Sequence, residues 1–235
     1  MLLLASYESQ GDLTVQAAGG IAFQHPPTGG NPTSINGNVC GHSFFTGDPV
    51  DDAGNGDYIL EHGSNAYQGG CGTSSLIALR SAAMGKIAEP TYAALGGKGF
   101  GPGTYSSVAA FTVADNTNVT LTGGPNDVFL FLSDSYMVTG HNSNIILADG
   151  VQAKNVLFVL TGYFTSGADS ELHGSVLAGA AVTLGDRSDV SGYVLATAAM
   201  TIGEECRLNL AGLTSTSVVG DVVTSPVETL INNAL

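Results

Sequence analysis

Residues 164–208 read FTSGADSELHGSVLAGAAVTLGDRSDVSGYVLATAAMTIGEECRL. One phrase begins at Phe164 (FTSGADSEL), returns at Val182 (VTLGDRSDV) and returns again at Met200 (MTIGEECRL), each time after 18 residues. Earlier copies open at Met137 (MVTGHNSNI) and Phe111 (FTVADNTNV), spaced 26 to 27 residues apart. Each copy starts apolar, usually continues with Thr, reaches a Gly or Ala, passes two mostly polar residues and a Ser, Thr or Cys, and ends apolar. A period near 20 that mixes strand alternation with a Gly corner indicates stacked coils. One such coil cannot bury its apolar face alone. The pattern therefore predicts a mainly β solenoid, a rod with long regular faces.

The chain has 235 residues, enough for one large all-β domain with a substantial core. Gly is abundant at 33, Trp is absent and only 11% of residues are charged, which suits short strands joined by tight corners. Six basic residues against 20 acidic ones leave a formal charge of −14. No Lys/Arg patch exists to displace phosphate counterions, which excludes nucleic acid as a partner class. An acidic surface instead suits a soluble extracellular protein. No apolar run reaches the roughly 18 residues of a membrane-spanning helix. The opening MLLLASYES is too short for a complete signal peptide and is read as the start of a mature chain.

The chain reads as one domain over residues 1–235. Residues 11–45 hold the first coils, and the turn-rich stretch 46–72 is expected to be a cap or loop insertion at the end of the rod. Its acids, Asp48, Asp51, Asp52 and Asp57, lack the alternation and terminal Glu of a calcium loop, so no metal and no cofactor are expected. Residues 73–89 carry a helix signal. Thr73, Ser74 or Ser75 can cap it, Leu76, Leu79, Ala83 and Ile87 share one stripe, and Pro90 stops it. Residues 214–235 read as a C-terminal strap. Cys40 and Cys71 bracket a floppy Gly- and Asp-rich loop, where a disulfide is expected. Cys206 takes the repeat position of Thr117, Ser143, Ser170 and Ser188, and is expected to be a free, buried corner thiol.

Neighbouring side chains of a strand point to opposite sides, so each coil divides into faces. VFLFL (128–132), VLFVL (156–160), SVLAG (175–179) and YVLAT (193–197) are apolar on both sides and need a cover, for which the helix is the candidate. A second face bears Asn118, Asn144, Glu171, Asp189 and Arg207, then Thr120, Ile146, His173, Ser191 and Asn209, an ordinary solvated mixture. On the third face the outward positions are Thr112, Val138, Thr165, Thr183 and Thr201. Two residues earlier on that side stand Ala110, Tyr136, Tyr163, Ala181 and Ala199. No charge falls in either row. With coils about 4.8 Å apart and alternate residues nearly 7 Å apart, methyl groups can cage waters that hydroxyls anchor. Stacked Thr ladders also stabilise solenoids without binding anything.

An enzyme is not expected. Arg80, Lys86, Lys98, Lys154, Arg187 and Arg207 are scattered, and His25, His42, His62, His141 and His173 share no spacing, so no catalytic cluster forms. The sequon at Asn118 lies in a strand beyond the corner and is expected to be unused or irrelevant to function.

The stretches GDLTVQAAGGI (11–21), GFGPGTYSS (99–107), GGPNDVFLFL (123–132), GVQAKNVLFVL (150–160) and SELHGSVLAGAAVTLGDRSDVSGYVLATAAMTI (170–202) resemble the microbial secreted ice-binding (antifreeze) proteins. The resemblance runs over roughly residues 9–213, with the helix between the first coils and the rest. It implies a right-handed, discontinuous β-solenoid of triangular cross-section, its coils stacked out of chain order, with one long α-helix along one face. It also implies that the flat face away from the helix meets ice. Carried onto this chain, that face holds Gly20, Ala22, Ala181, Thr183, Ala199 and Thr201, with Thr165 and Thr112 by repeat register and Ala110 beside them. Tyr136, Tyr163 and Val138 depart from the pattern. Freezing-point depression or recrystallisation inhibition by a secreted monomer is the function implied. The other reading is an extracellular adhesin or matrix scaffold using the same face on polysaccharide, with the tyrosines stacked on sugar rings.

Overall fold

The computed structural model describes residues 13–27, 30–43, 45–50, 56–61, 64, 66–68, 73–209, 217–219, 222–224 and 231. The chain visits three sheets in fixed rotation. One coil runs Gly103–Ser107, Phe111–Val113 and Asn118–Thr122, and the next runs Phe129–Ser133, Met137–Thr139 and Asn144–Ala148. Each strand pairs in parallel with its counterpart one coil away, Phe111 opposite Met137 and Asn118 opposite Asn144. Parallel pairing follows from the repeat itself, because every coil enters a face at the same phrase.

Spatial order departs from chain order. Along the helix-side sheet the strands run Ala66–Gln68, Asn38–Gly41, Leu13–Ala17, Val194–Ala196, Ser175–Ala178, Val156–Leu160, Phe129–Ser133, Gly103–Ser107 and Glu89–Pro90. The amino-terminal coils form one end and lie on the last coil of the repeat, with Val15 opposite Val194. After the helix the chain restarts at the far end and winds back to the middle. This is the discontinuous β-solenoid with a flanking helix that the resemblance implies.

Alternation along the strands builds two cores. Inward side chains such as Phe111, Phe131, Phe158, Phe164, Met137 and Met200 fill the rod interior and are fully buried. On the other side of the helix-side sheet, Leu130, Leu132, Leu157, Val159, Leu177, Tyr193 and Leu195 pack under Leu76 and Ala83 of the helix, with Leu79 half-buried beside them. Ile231 joins this second core, so the tail as well as the helix covers the sheet.

Three expectations need correction or extension. The helix spans Thr73–Met84 and not 73–89, and Ile87 is 91% exposed. Gly85 follows its last turn, and Glu89–Pro90 is drawn into a strand against Tyr105 and Ser106, which ends helical geometry early. Residues 46–72 hold more than a loop. Phe45–Thr46, Tyr58–Leu60 and Ala66–Gln68 supply the end strand of each of the three sheets. Within 214–235, Ser217–Val219 and Val222–Thr224 pair antiparallel. Cys40 is disulfide-bonded and Cys206 carries a free, buried thiol, while Cys71 lies outside the described residues.

Burial ranks the helix contacts. Leu76→Ala should cost about 2–5 kcal/mol, because Leu76 is 1% exposed and leaves a cavity. Leu79→Ala should cost less, and Ile87→Ala should stay within about 0.5 kcal/mol. Urea denaturation midpoints check the ranking.

Candidate functional site

The repeat phrase builds the corner between the second and third sheets. A Cβ on Gly167 would stand 2.3 Å from the carbonyl carbon of Gly140, and one on Gly185 would stand 2.6 Å from that of Gly167. The backbones of successive coils touch there, which a side chain would prevent. Two residues on, Asn116, Asn142, Asp169, Arg187 and Glu205 all hold φ between 51° and 57° to turn the chain. The next residue locks the turn. The hydroxyls of Thr117, Ser143, Ser170 and Ser188 each donate to the carbonyl three residues earlier, at 2.7, 2.7, 2.8 and 2.6 Å.

Cys206 departs from that pattern: its Sγ lies 3.2 Å from the Gly185 carbonyl, and Thr33 of the adjoining coil donates to Gly203 instead, at 3.1 Å. Burial pushes the Cys206 thiol up to about 12, so it stays protonated and unreactive in the folded protein. Arg187 clasps Asp169 through two bonds of 2.6 and 2.8 Å across coils, and this guanidinium holds the Asp169 carboxyl below its ordinary range. Asp189, on the charged face, is pushed up by burial.

These corners hold the flat sheet rigid. Its outward row pairs Ala94 with Thr112, then continues through Val138, Thr165, Thr183, Thr201, Ala22 and Thr46. Burial alternates as expected, with Phe111 and Val113 buried around exposed Thr112, and Val182 and Leu184 buried around exposed Thr183. The parallel row two residues earlier holds Ala110, Tyr136, Tyr163, Ala181, Ala199 and Gly20. Seven of the nine sequence-derived residues of the face thus lie in strands of one sheet, and Ala110 and Ala181 immediately precede two of its strands. Gly20 is itself buried, with φ of 124°, and presents backbone only.

Reading the repeat in chain order places Thr183 and Thr201 at a flat end of the row. The stack shows otherwise. The coil of Thr183 adjoins that of Tyr163, and the flat half continues past Thr201 into Ala22 and Thr46. Thr201 is therefore its centre. Thr46 and Ala94 went unnoticed in the sequence, because Phe45-Thr46 sits in a turn-rich segment and Ala94 ahead of the first full repeat. Their neighbours in space, not in sequence, reveal them.

Tyr136 and Tyr163 divide the face. Their rings lie 4.4 Å apart, within 8° of parallel, and Tyr163 is 40% exposed. The Tyr163 hydroxyl is held above its ordinary range by local desolvation and by Tyr136. Beyond them the rows 181/183, 199/201, 20/22 and residue 46 carry nothing larger than Thr. With coils about 4.8 Å apart, the three coils of rows 181/183, 199/201 and 20/22 span roughly 10 Å of small, uncharged surface.

The site is a flat, uncharged Thr/Ala grid on one of three sheets, and among the described residues no group of His, Cys, Asp or Glu could hold a metal. The chain belongs to the ice-binding-like family, whose model matches residues 63–206. It is 34% identical over 100 residues to an ice-binding protein of Lentinula edodes, covering 40% of this chain and 34% of the relative. It is 29% identical over 90 residues to one from Flavobacterium frigoris (strain PS1), covering 38% and 32%. The alignments thus span about a third of these relatives' length. The fold matches the crystal structure of an ice-binding protein from the Antarctic ascomycete Antarctomyces psychrotrophicus. The TM-score is 0.71 at 24% identity, over 90% of this chain and 98% of that one. An ice-binding domain from Shewanella frigidimarina matches with a TM-score of 0.69 at 18% identity, over 88% and 98%. No helix among the described residues is long and apolar enough to cross a membrane.

The cysteines yield a thiol count. Denatured, unreduced protein should show one reactive thiol, that of Cys206, and the folded protein none on the same timescale. Three reactive thiols on denaturation would overturn the expected Cys40–Cys71 bridge.

Proposed function

We propose that this protein adsorbs to ice through the flat half of its uncharged sheet, centred on Thr201 and bounded by Tyr163. The observation that supports this is the register. Thr183, Thr201, Ala22 and Thr46 stand opposite one another on successive coils, beside Ala181, Ala199 and Gly20. Ice offers a periodic surface, and many weak directional contacts add up only if the protein side is equally periodic and already rigid. Thr supplies both parts, a methyl that restricts neighbouring water and a hydroxyl that donates and accepts. The corner supplies the rigidity, since its hydroxyls lock the turn within each coil while the touching glycine backbones and the parallel strand pairing hold one coil on the next. Thr112 and Thr165 continue the row, but Val138 and the tyrosines interrupt it, so they lie at the margin of contact.

The same reading assigns an extracellular setting and no catalytic role. Six basic residues are spread over the chain, and the charged sheet carries Glu171, Asp189 and Arg207 in register. The Cys40 disulfide suits an oxidising compartment.

Bulk on the grid tests the assignment. Thr201→Tyr places a ring at the centre of the flat half and should hold the plane off a crystal. Crystal shaping and freezing-point depression should fall to the level of buffer, while stability changes by no more than about 0.5 kcal/mol. Ser191→Tyr, on the charged sheet, should leave both intact. Full activity in Thr201→Tyr, or a parent protein that does not shape ice, would turn the reading over to an adhesin or scaffold.

A further inference from the structure

The tyrosine pair shapes a second feature of the same face. Met137 and Phe164 are directly paired, so Tyr136 and Tyr163 leave adjacent coils at equal positions. Their centroid separation of 4.4 Å is close to the coil spacing of about 4.8 Å, and the rings lie within 8° of parallel. The rings are therefore stacked along the rod, standing out from the sheet. Each has one face covered by the other and one face that looks along the rod. For Tyr163 that free face looks over Ala181, the residue of the next coil whose carbonyl accepts from Phe164 N–H at 3.1 Å. Ring and methyl form a ledge, a vertical aromatic wall above an apolar floor.

Hydroxyls flank the ledge. Exposed Thr161 stands at the corner of the Tyr163 coil, and exposed Thr183 lies in the floor two residues beyond Ala181. An aromatic face beside hydrogen-bonding side chains matches a pyranose, whose axial C–H groups pack on a ring while its hydroxyls bond sideways. Mutual stacking holds Tyr163 in place before any ligand arrives, so little side-chain entropy is lost on binding. Charge narrows the ligand class. Asp134 is exposed at the same corner one coil away, and the chain carries a formal charge of −14, which repels anionic polymers.

We infer that Tyr163, with Ala181, Thr161 and Thr183, forms a binding ledge for a neutral polysaccharide, its chain lying across the rod parallel to the strands. The ledge shares Ala181 and Thr183 with the ice-adsorbing grid, while its aromatic wall, Tyr163, and Thr161 lie outside it.

Affinity electrophoresis in gels containing a mixed-linkage β-glucan, a galactomannan or a xylan tests it, with carboxymethyl cellulose as the polyanion. At least one neutral polymer should retard the native protein, and carboxymethyl cellulose should not. Tyr163→Ala should weaken the retardation by about tenfold, the loss expected when an aromatic stacking partner is removed. Tyr163→Phe should retain it, since the wall is kept. Thr201→Tyr should lose ice shaping and keep glycan retardation, whereas Tyr163→Ala should keep ice shaping. Absence of retardation by all three neutral polymers would overturn the ledge. So would equal retardation of Tyr163→Ala and the native protein, equal retardation by the polyanion, or loss of glycan binding in Thr201→Tyr.

Discussion

The close approach of one coil's backbone to the next, at the glycine column of the corner, is the constraint on which this structure depends. Gly140, Gly167, Gly185 and Gly203 admit that contact, and a Cβ at any of the four would fall within 3 Å of the neighbouring backbone or side chain. Once the backbones touch, each turn needs its free carbonyl satisfied, and the hydroxyl three residues on satisfies it. The left-handed residue between them redirects the chain onto the charged sheet. Rigidity, register and the flat face all follow from that corner. A slip of one residue would turn Val182 and Met200 outward and their Thr neighbours into the core.

Two kinds of surface meet across this corner. On one side, charged and polar residues such as Asn118, Glu171 and Arg207 face solvent without a common chemistry. On the other, the rows hold Thr, Ala, Gly and Val, with two tyrosines. Solvation alone asks for nothing of the kind on an exposed sheet, where Lys, Glu and Asp would serve equally well. The absence of charge from both rows distinguishes the flat sheet from its neighbour, and family membership gives that distinction a meaning.

Much of this was legible in the residues because a repeat reports register directly. Thr112, Thr165, Thr183 and Thr201 could be aligned without coordinates, and the doubly apolar segments required a cover that the helix provides. The points that escaped share one cause: they depend on which coils are neighbours. Stack order puts strand Gly20–Phe23 against Ala199–Ile202, joining residues far apart in the chain, so Thr201 is central where chain order made it terminal. The same cause hid Thr46, and it hid the substitution of Thr33 for a corner hydroxyl next to Cys206. The early end of the helix has a different origin. Ile87 fits the apolar stripe by spacing, but the demand that Glu89–Pro90 reach the far edge of the sheet outweighs local helical preference.

The order of the coils has a consequence for how the protein comes into being. The flat half of the sheet joins strand Gly20–Phe23 to Ala199–Ile202, with the helix and every other coil of the repeat between them in the chain. All the residues between them must leave the ribosome before those two edges can meet. Until then the early strands expose an unpaired parallel edge, and the later coils expose another. Pairings of such long sequence separation form slowly, because loop-closure entropy is lost before any contact is gained. An interrupted or prematurely released chain would carry half of the surface at most, with a sticky edge where the rest belongs. Assembly of the flat half thus waits for the last coil of the repeat.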